Sequence, residues 1–112
     1  MTKLKLTIPG VKEEMEMELK KGRYSNGRLA LELIHLKSME PWCRLTVNLP
    51  EFPLKDDEIL IKGWSENKET VKALMEQTDI FISDGQTVSS GFVKAYIWKF
   101  TDPTIVDRLK WL

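Results

Sequence analysis

Cysteine and histidine are nearly missing from this chain, with one of each, Cys43 and His35. A single cysteine forbids an intramolecular disulfide, the usual staple of small secreted domains. One cysteine and one histidine also cannot build a structural zinc site. Net charge is lacking too: 17 basic residues face 17 acidic ones, so general attraction to nucleic acid or anionic lipid has little to act through. No apolar run approaches the ~20 residues of a membrane-spanning helix, and the opening residues show no continuous apolar stretch of the kind a signal peptide needs. Gly-x-Gly-x-x-Gly, the Walker-type Lys motif and the Gly-x-Ser-x-Gly elbow are all absent. Neither metal nor cofactor is therefore expected, and the expected setting is cytoplasmic, as a monomer or small homo-oligomer.

What is present suits one folded domain of 112 residues, 42% apolar and 30% charged. Leu4, Leu6 and Ile8 alternate with polar residues, and so do Met15, Met17 and Leu19. That period of two marks strands with one buried face, and Pro9-Gly10 between them predicts a hairpin over about residues 3–8 and 13–20. A helix over 13–21 would satisfy the propensities of Glu, Met, Leu and Lys, but would scatter the apolar residues around its circumference. Glu14, Glu16 and Glu18 then line one face opposite Lys3 and Lys5, a pattern for cross-strand ion pairs. Residues 21–27 read as a loop. Residues 29–36 read as a central strand or a short buried helix, and 42–49 as a strand completing a second hairpin. Ile59–Ile61 is a short strand. Ser65 or Asn67 is placed to cap a helix carrying Val71, Leu74 and Met75. Ile80–Ile82 is another short strand. From Phe92 to Phe100 both alternating sets are apolar, the mark of a strand covered on two faces, with Gly91 at its start or bend. Asp102-Pro103 predicts the start of a last helix.

The order β-β-β-β-β-α-β-β-α predicts an α+β fold, a mainly antiparallel sheet of about six or seven strands with two helices. Within it, no catalytic set is coherent. His35 and Cys43 are the two residues a small enzyme would use, each with a structural reading beside it. Asp56-Asp57-Glu58 lacks the alternating oxygens and central glycine of a calcium loop and reads as a solvated turn. Four tryptophans are many for this length. Trp98 belongs in the core, while Trp42, Trp64 and Trp111 fall at element ends, where tryptophan either caps a core or anchors an interface. Trp64, Phe52 and the turn Ser89, Ser90, Phe92 are the candidate protein-binding residues. Lys20, Lys21, Arg23 and Arg28 are the nucleic-acid candidates, with Tyr24 as an aromatic beside them. Residues 1–28 carry seven basic against four acidic residues, a net of +3 that the rest of the chain offsets.

Leu29-Ala30-Leu31-Glu32-Leu33, Leu45-Thr46-Val47-Asn48-Leu49-Pro50 and Ser90-Gly91-Phe92-Val93, with Phe100, resemble domain-of-unknown-function family 4313, small proteins of plasmids, conjugative elements and phages of Gram-positive and gut bacteria. The likeness spans about residues 28–100. Gly63-Trp64-Ser65-Glu66-Asn67 departs from the family's Asn-rich segment ahead of the helix, and the N-terminal hairpin lies outside the match. The resemblance implies a bacterial mobile-element origin and a cytoplasmic setting. It carries over no catalytic residue. The expected function is that of a non-enzymatic accessory protein acting by protein–protein binding, a setting that suits an inhibitor of a host defence or regulatory protein. A nucleic-acid-binding accessory factor is the first alternative and a small enzyme the second.

Overall fold

The computed structural model describes residues 3–112; Met1 and Thr2, which open the alternating run, lie outside it. Among the described residues, nine strands form two mainly antiparallel sheets, with two short α-helices. The expected α+β class holds, while the single sheet of six or seven strands is corrected to nine strands in two sheets, because the chain leaves the first sheet at residues 45–47.

The N-terminal alternation folds as a hairpin. β1 (Lys3–Leu6) pairs with β2 (Met15–Arg23) through Lys3↔Glu18 and Leu6↔Met15. Gly10, at φ 87°, supplies the left-handed residue of the link. β2 runs on through Lys21, Gly22 and Arg23, which sequence reading placed in a loop, because β3 (Leu29–His35) pairs with it as far as Arg23↔Leu29. The segment expected as strand or helix over 29–36 is thus a strand, which ends at His35 with Leu36 in the following turn. β4 (Glu40–Arg44) continues the meander, and its register slips between Leu33↔Cys43 and Ile34↔Pro41. Trp42 is the extra residue of that bulge, and its indole Nε1 reaches Thr70 Oγ1 at 3.0 Å.

The next residues leave the first sheet for the second. Leu45 N–H still donates to Leu31 O, while Val47 N–H donates to Leu60 O and Lys62 N–H to Leu45 O. Residues 45–47 therefore join β4 to β5 (Glu58–Ile61), and the strand expected over 42–49 is divided between two partners. β8 (Val93–Phe100) is the centre of the second sheet. β5 lies along one side of it. β6 (Phe81–Ile82) and β7 (Thr87–Ser90) follow each other along the opposite side.

Both faces of β8 are covered, as its two apolar sets require. Trp98 and Phe100 enter the main core with Leu6, Met17, Leu31, Ile61 and helix α1 (Lys68–Gln77). Ala95 and Ile97 join Leu60 in a second cluster, roofed by Val47, Leu49, Phe52, Leu54, Trp64 and Val88. Gly63 allows the Tyr96 ring to lie against the backbone: a Cβ there would sit 2.1 Å from Tyr96 Cε2.

The helix ends differ from expectation. Asn67 occupies the N-cap of α1 but makes no side-chain cap bond. Its amide instead donates to Arg44 O at 2.6 Å, holding α1 to the first sheet. Asp102 accepts from Thr104 N–H at 2.9 Å, an Asx turn, and the helix it precedes, α2 (Ile105–Arg108), starts later and has one turn. β9 (Lys110–Trp111) then runs parallel to β2. No helix among the described residues is long and apolar enough to cross a membrane.

Candidate functional site

The five protein-binding candidates divide into two sets. β7 and β8 form a hairpin whose last pair is Ser90↔Val93, so Gly91 and Phe92 are its whole loop. Gly91 has φ 62°, and Phe92 has no positive φ. A glycine of positive φ at the first of two loop positions is the requirement of a type II′ turn, whose twist matches the flanking strands. Gly91 thus belongs to the turn rather than to the strand. Phe92 is held at the tip with a relative exposure of 108%. Ser89 is exposed beside it and Ser90 is half-buried.

Trp64 and Phe52 are not free in this way. Both are half-buried and pack on Leu60, Ala95 and Ile97. They roof the second cluster, because the 47–57 segment must cover the outer face of β8. Val88, in the hairpin, packs on the same cluster, so Trp64 supports the hairpin whose tip carries Phe92.

The nucleic-acid candidates do not form a patch. Lys20 and Lys21 are consecutive on β2 and point to opposite faces. Lys21 is buried, donates from Nζ to Val106 O at 2.8 Å, and lies 4.7 Å from the Trp111 ring centroid. Arg28 donates to the carbonyls of Leu49 and Phe52, which fixes the roof segment. Arg23 is exposed and donates to Gly27 O at 3.3 Å. Lys20 is half-buried, opposite Glu32 and Lys110. Tyr24, half-buried, shares a hydrogen bond of 2.9 Å with Thr46 Oγ1. The basic residues of this segment serve mainly as internal donors. The loop expected over 21–27 concealed this, since only the strand reveals which side each residue faces.

Arg23 and Arg28 also line a cleft of about 520 Å³. Its apolar lining includes Leu29, Val47, Leu54, Phe100 and Val106, and Asp56, Asp57 and Glu58 lie on its acidic side. Sequence reading missed this cleft, because its walls come from four separated stretches, within 23–29, at Val47, over 54–60 and within 100–106. Asp57 is engaged by Lys99 at 3.7 Å, and Glu58 Oε1 accepts from Lys55 N–H at 2.8 Å.

His35 and Cys43 show no catalytic relation. His35 Nδ1 is 3.1 Å from Ser38 Oγ, and its ring meets Trp42 edge-on at 6.3 Å. Burial, with Glu66 and Glu32 nearby, pushes the Cys43 thiol up to about 12, so it stays protonated at neutral pH. Among the described residues, no group of three His, Cys, Asp or Glu side chains is placed to hold a metal ion.

The cross-strand ion pairs expected for the N-terminal hairpin are a matter of register only. Lys3 faces Glu18 and Lys5 faces Glu16, as expected. Yet Glu18 pairs with Lys110, at 4.0 Å, and neither Lys3 nor Lys5 forms an ion pair among the described residues. No protein-family model, curated protein or solved structure matches the chain.

Proposed function

We propose that the protein is a non-enzymatic accessory protein that acts by binding another protein, with Phe92 at the hairpin tip as its anchor. The observation that carries this reading is the complete exposure of a large aromatic side chain on a tight, glycine-set turn. A phenylalanine so placed gains nothing from its own fold. Its burial in a partner's pocket is favourable by about 2 kcal/mol or more. The turn is already formed, so little ordering entropy is lost on binding. The resemblance to small mobile-element proteins gives this binding a setting, that of inhibiting a host defence or regulatory protein.

The test compares wild type with Phe92→Ser as bait in bacterial lysate, followed by direct titration of each captured protein. A partner held by wild type and lost with Phe92→Ser supports the reading. Equal capture by both baits overturns it.

A further inference from the structure

We infer that the outer edge of β1 is a strand-addition site for an extended segment in which apolar and acidic residues alternate. This site lies on the first sheet, apart from the hairpin tip, and does not depend on it. Among the described residues β1 pairs only with β2, and β9 joins β2 beyond the end of β1. Among the described residues no strand pairs with its other edge. A groove of about 430 Å³ runs there, between β1 on one side and the α1–β6 link and α2 on the other.

One side chain already acts as a strand at the end of this groove. Gln77 Oε1 accepts from Thr7 N–H at 2.8 Å, and Gln77 Nε2 donates to Thr7 O at 2.7 Å. That pair of bonds is what a neighbouring backbone would supply. It also fixes the geometry of the residues before it. In a strand the N–H and C=O of one residue point to one edge, and those of its neighbours to the other. Thr7 turns both groups away from β2, so Lys5 and Lys3 do the same. The pairing agrees: Glu16, opposite Lys5, directs its own carbonyl to Leu36 N–H at 3.0 Å, away from β1. The backbone groups of Lys3 and Lys5 therefore face the groove.

The side chains define the occupant. Leu4 and Leu6 point into the core, and Ile80 and Ile105 also border the groove, so inward positions of an added strand must be apolar. Lys3 and Lys5 are exposed on the outer face, and neither forms an ion pair among the described residues. The other charges bordering the groove are Asp79, Asp102 and Arg108, of which Asp102 and Arg108 pair at 3.3 Å. The outward positions thus favour acids. β2 meets the same demand on the opposite edge with its own alternation of Met and Glu. A second copy of β1 does not fit, because antiparallel self-pairing sets lysines against lysines. Lysines on an open edge deter such pairing while leaving it open to acidic strands.

The probe is a capped, labelled hexapeptide copying residues 14–19, titrated against the full chain by fluorescence anisotropy, with amide exchange followed by NMR. Saturable binding is expected, with the Lys3 and Lys5 amides gaining protection and those of Leu4 and Leu6 unchanged. Replacing the peptide's three glutamates by lysine, or making Lys3→Ser with Lys5→Ser in the protein, should weaken binding ~tenfold or more. No binding, equal binding of the lysine peptide, or binding without protection at Lys5 overturns the proposal. So does protection of Lys5 in a homodimer before peptide is added.

Discussion

At the scale of single residues, the local surroundings override what residue type suggests. Lys21 reads in sequence as part of a basic run, yet it is a buried donor to the last turn of the chain. Replacing it should therefore loosen the fold rather than remove a ligand contact. Lys21→Ala deletes the bond to Val106 O and the contact with Trp111, a loss of about 2 kcal/mol. Chemical denaturation should show a lower midpoint, and exchange at the Leu112 amide, which donates to Lys21 O, should quicken. Cys43 gives a pH-dependent counterpart. Its folded pKa, about 12, lies above the 9.0 of an unburied thiol. The folded state thus favours the thiol, and its stabilisation is complete below pH 9. As pH rises from 9 toward 12 the unfolded thiol ionises first, and stability falls by up to about 1.4 kcal/mol per pH unit, less where the site is wetted. The wild-type midpoint minus that of Cys43→Ala should stay constant from pH 6 to 8.5 and decline above 9. A difference that stayed flat above pH 9 would contradict the assigned burial. At pH 8 the folded protein should also react far more slowly with a thiol reagent than the unfolded chain does.

At the scale of elements, legibility in the sequence followed the length and regularity of each pattern. β1, β2 and β8 were visible because alternation over several residues is set by a buried face, which the side chains record. The helix carrying Val71 and Leu74 was visible for the same reason. β7 was not, because Thr87-Val88-Ser89-Ser90 is mostly polar and becomes a strand through its pairing with β8. β9 has two residues and no local signal; it exists because Trp111 docks beside Lys21. Asp102-Pro103 indicated a helix start, and a single turn followed after an Asx turn. Side-chain substitutes for backbone pairing leave no pattern at all. Gln77, at the exposed end of α1, looks in sequence like any solvated helix residue, yet it holds Thr7 by two bonds across a separation of 70 residues. Gln77→Ala should cost about 1–2 kcal/mol through those bonds. Gln77→Glu keeps the acceptor for Thr7 N–H but loses the donor to Thr7 O, so it should rank between wild type and alanine in thermal unfolding. Equal stability of all three proteins would show that the clip contributes nothing.

At the scale of the molecule, the two sheets share residues 45–47, diverge from there, and are tied by α1, so the chain has one main core and one satellite beneath the roof segment. The candidate binding residues were legible as aromatics near loops, but their division into roof and tip was not. That division depends on β8 lying at the centre of its sheet, which only the pairing of β5, β6 and β7 reveals. It also makes the binding reading separable from stability. Phe92 contacts solvent alone, so Phe92→Ser should shift unfolding free energy by no more than about 0.5 kcal/mol. Trp64 covers Leu60, Ala95 and Ile97, so Trp64→Ala should cost about 3–5 kcal/mol at full burial and less at its half-exposed position. Measured side by side, the two variants give opposite outcomes: a stable protein that no longer holds its partner, and a weakened protein whose residual folded fraction still does. If Phe92→Ser instead lowered stability as far as Trp64→Ala, the hairpin tip would be packed against the protein itself, and its assignment as an anchor would fail.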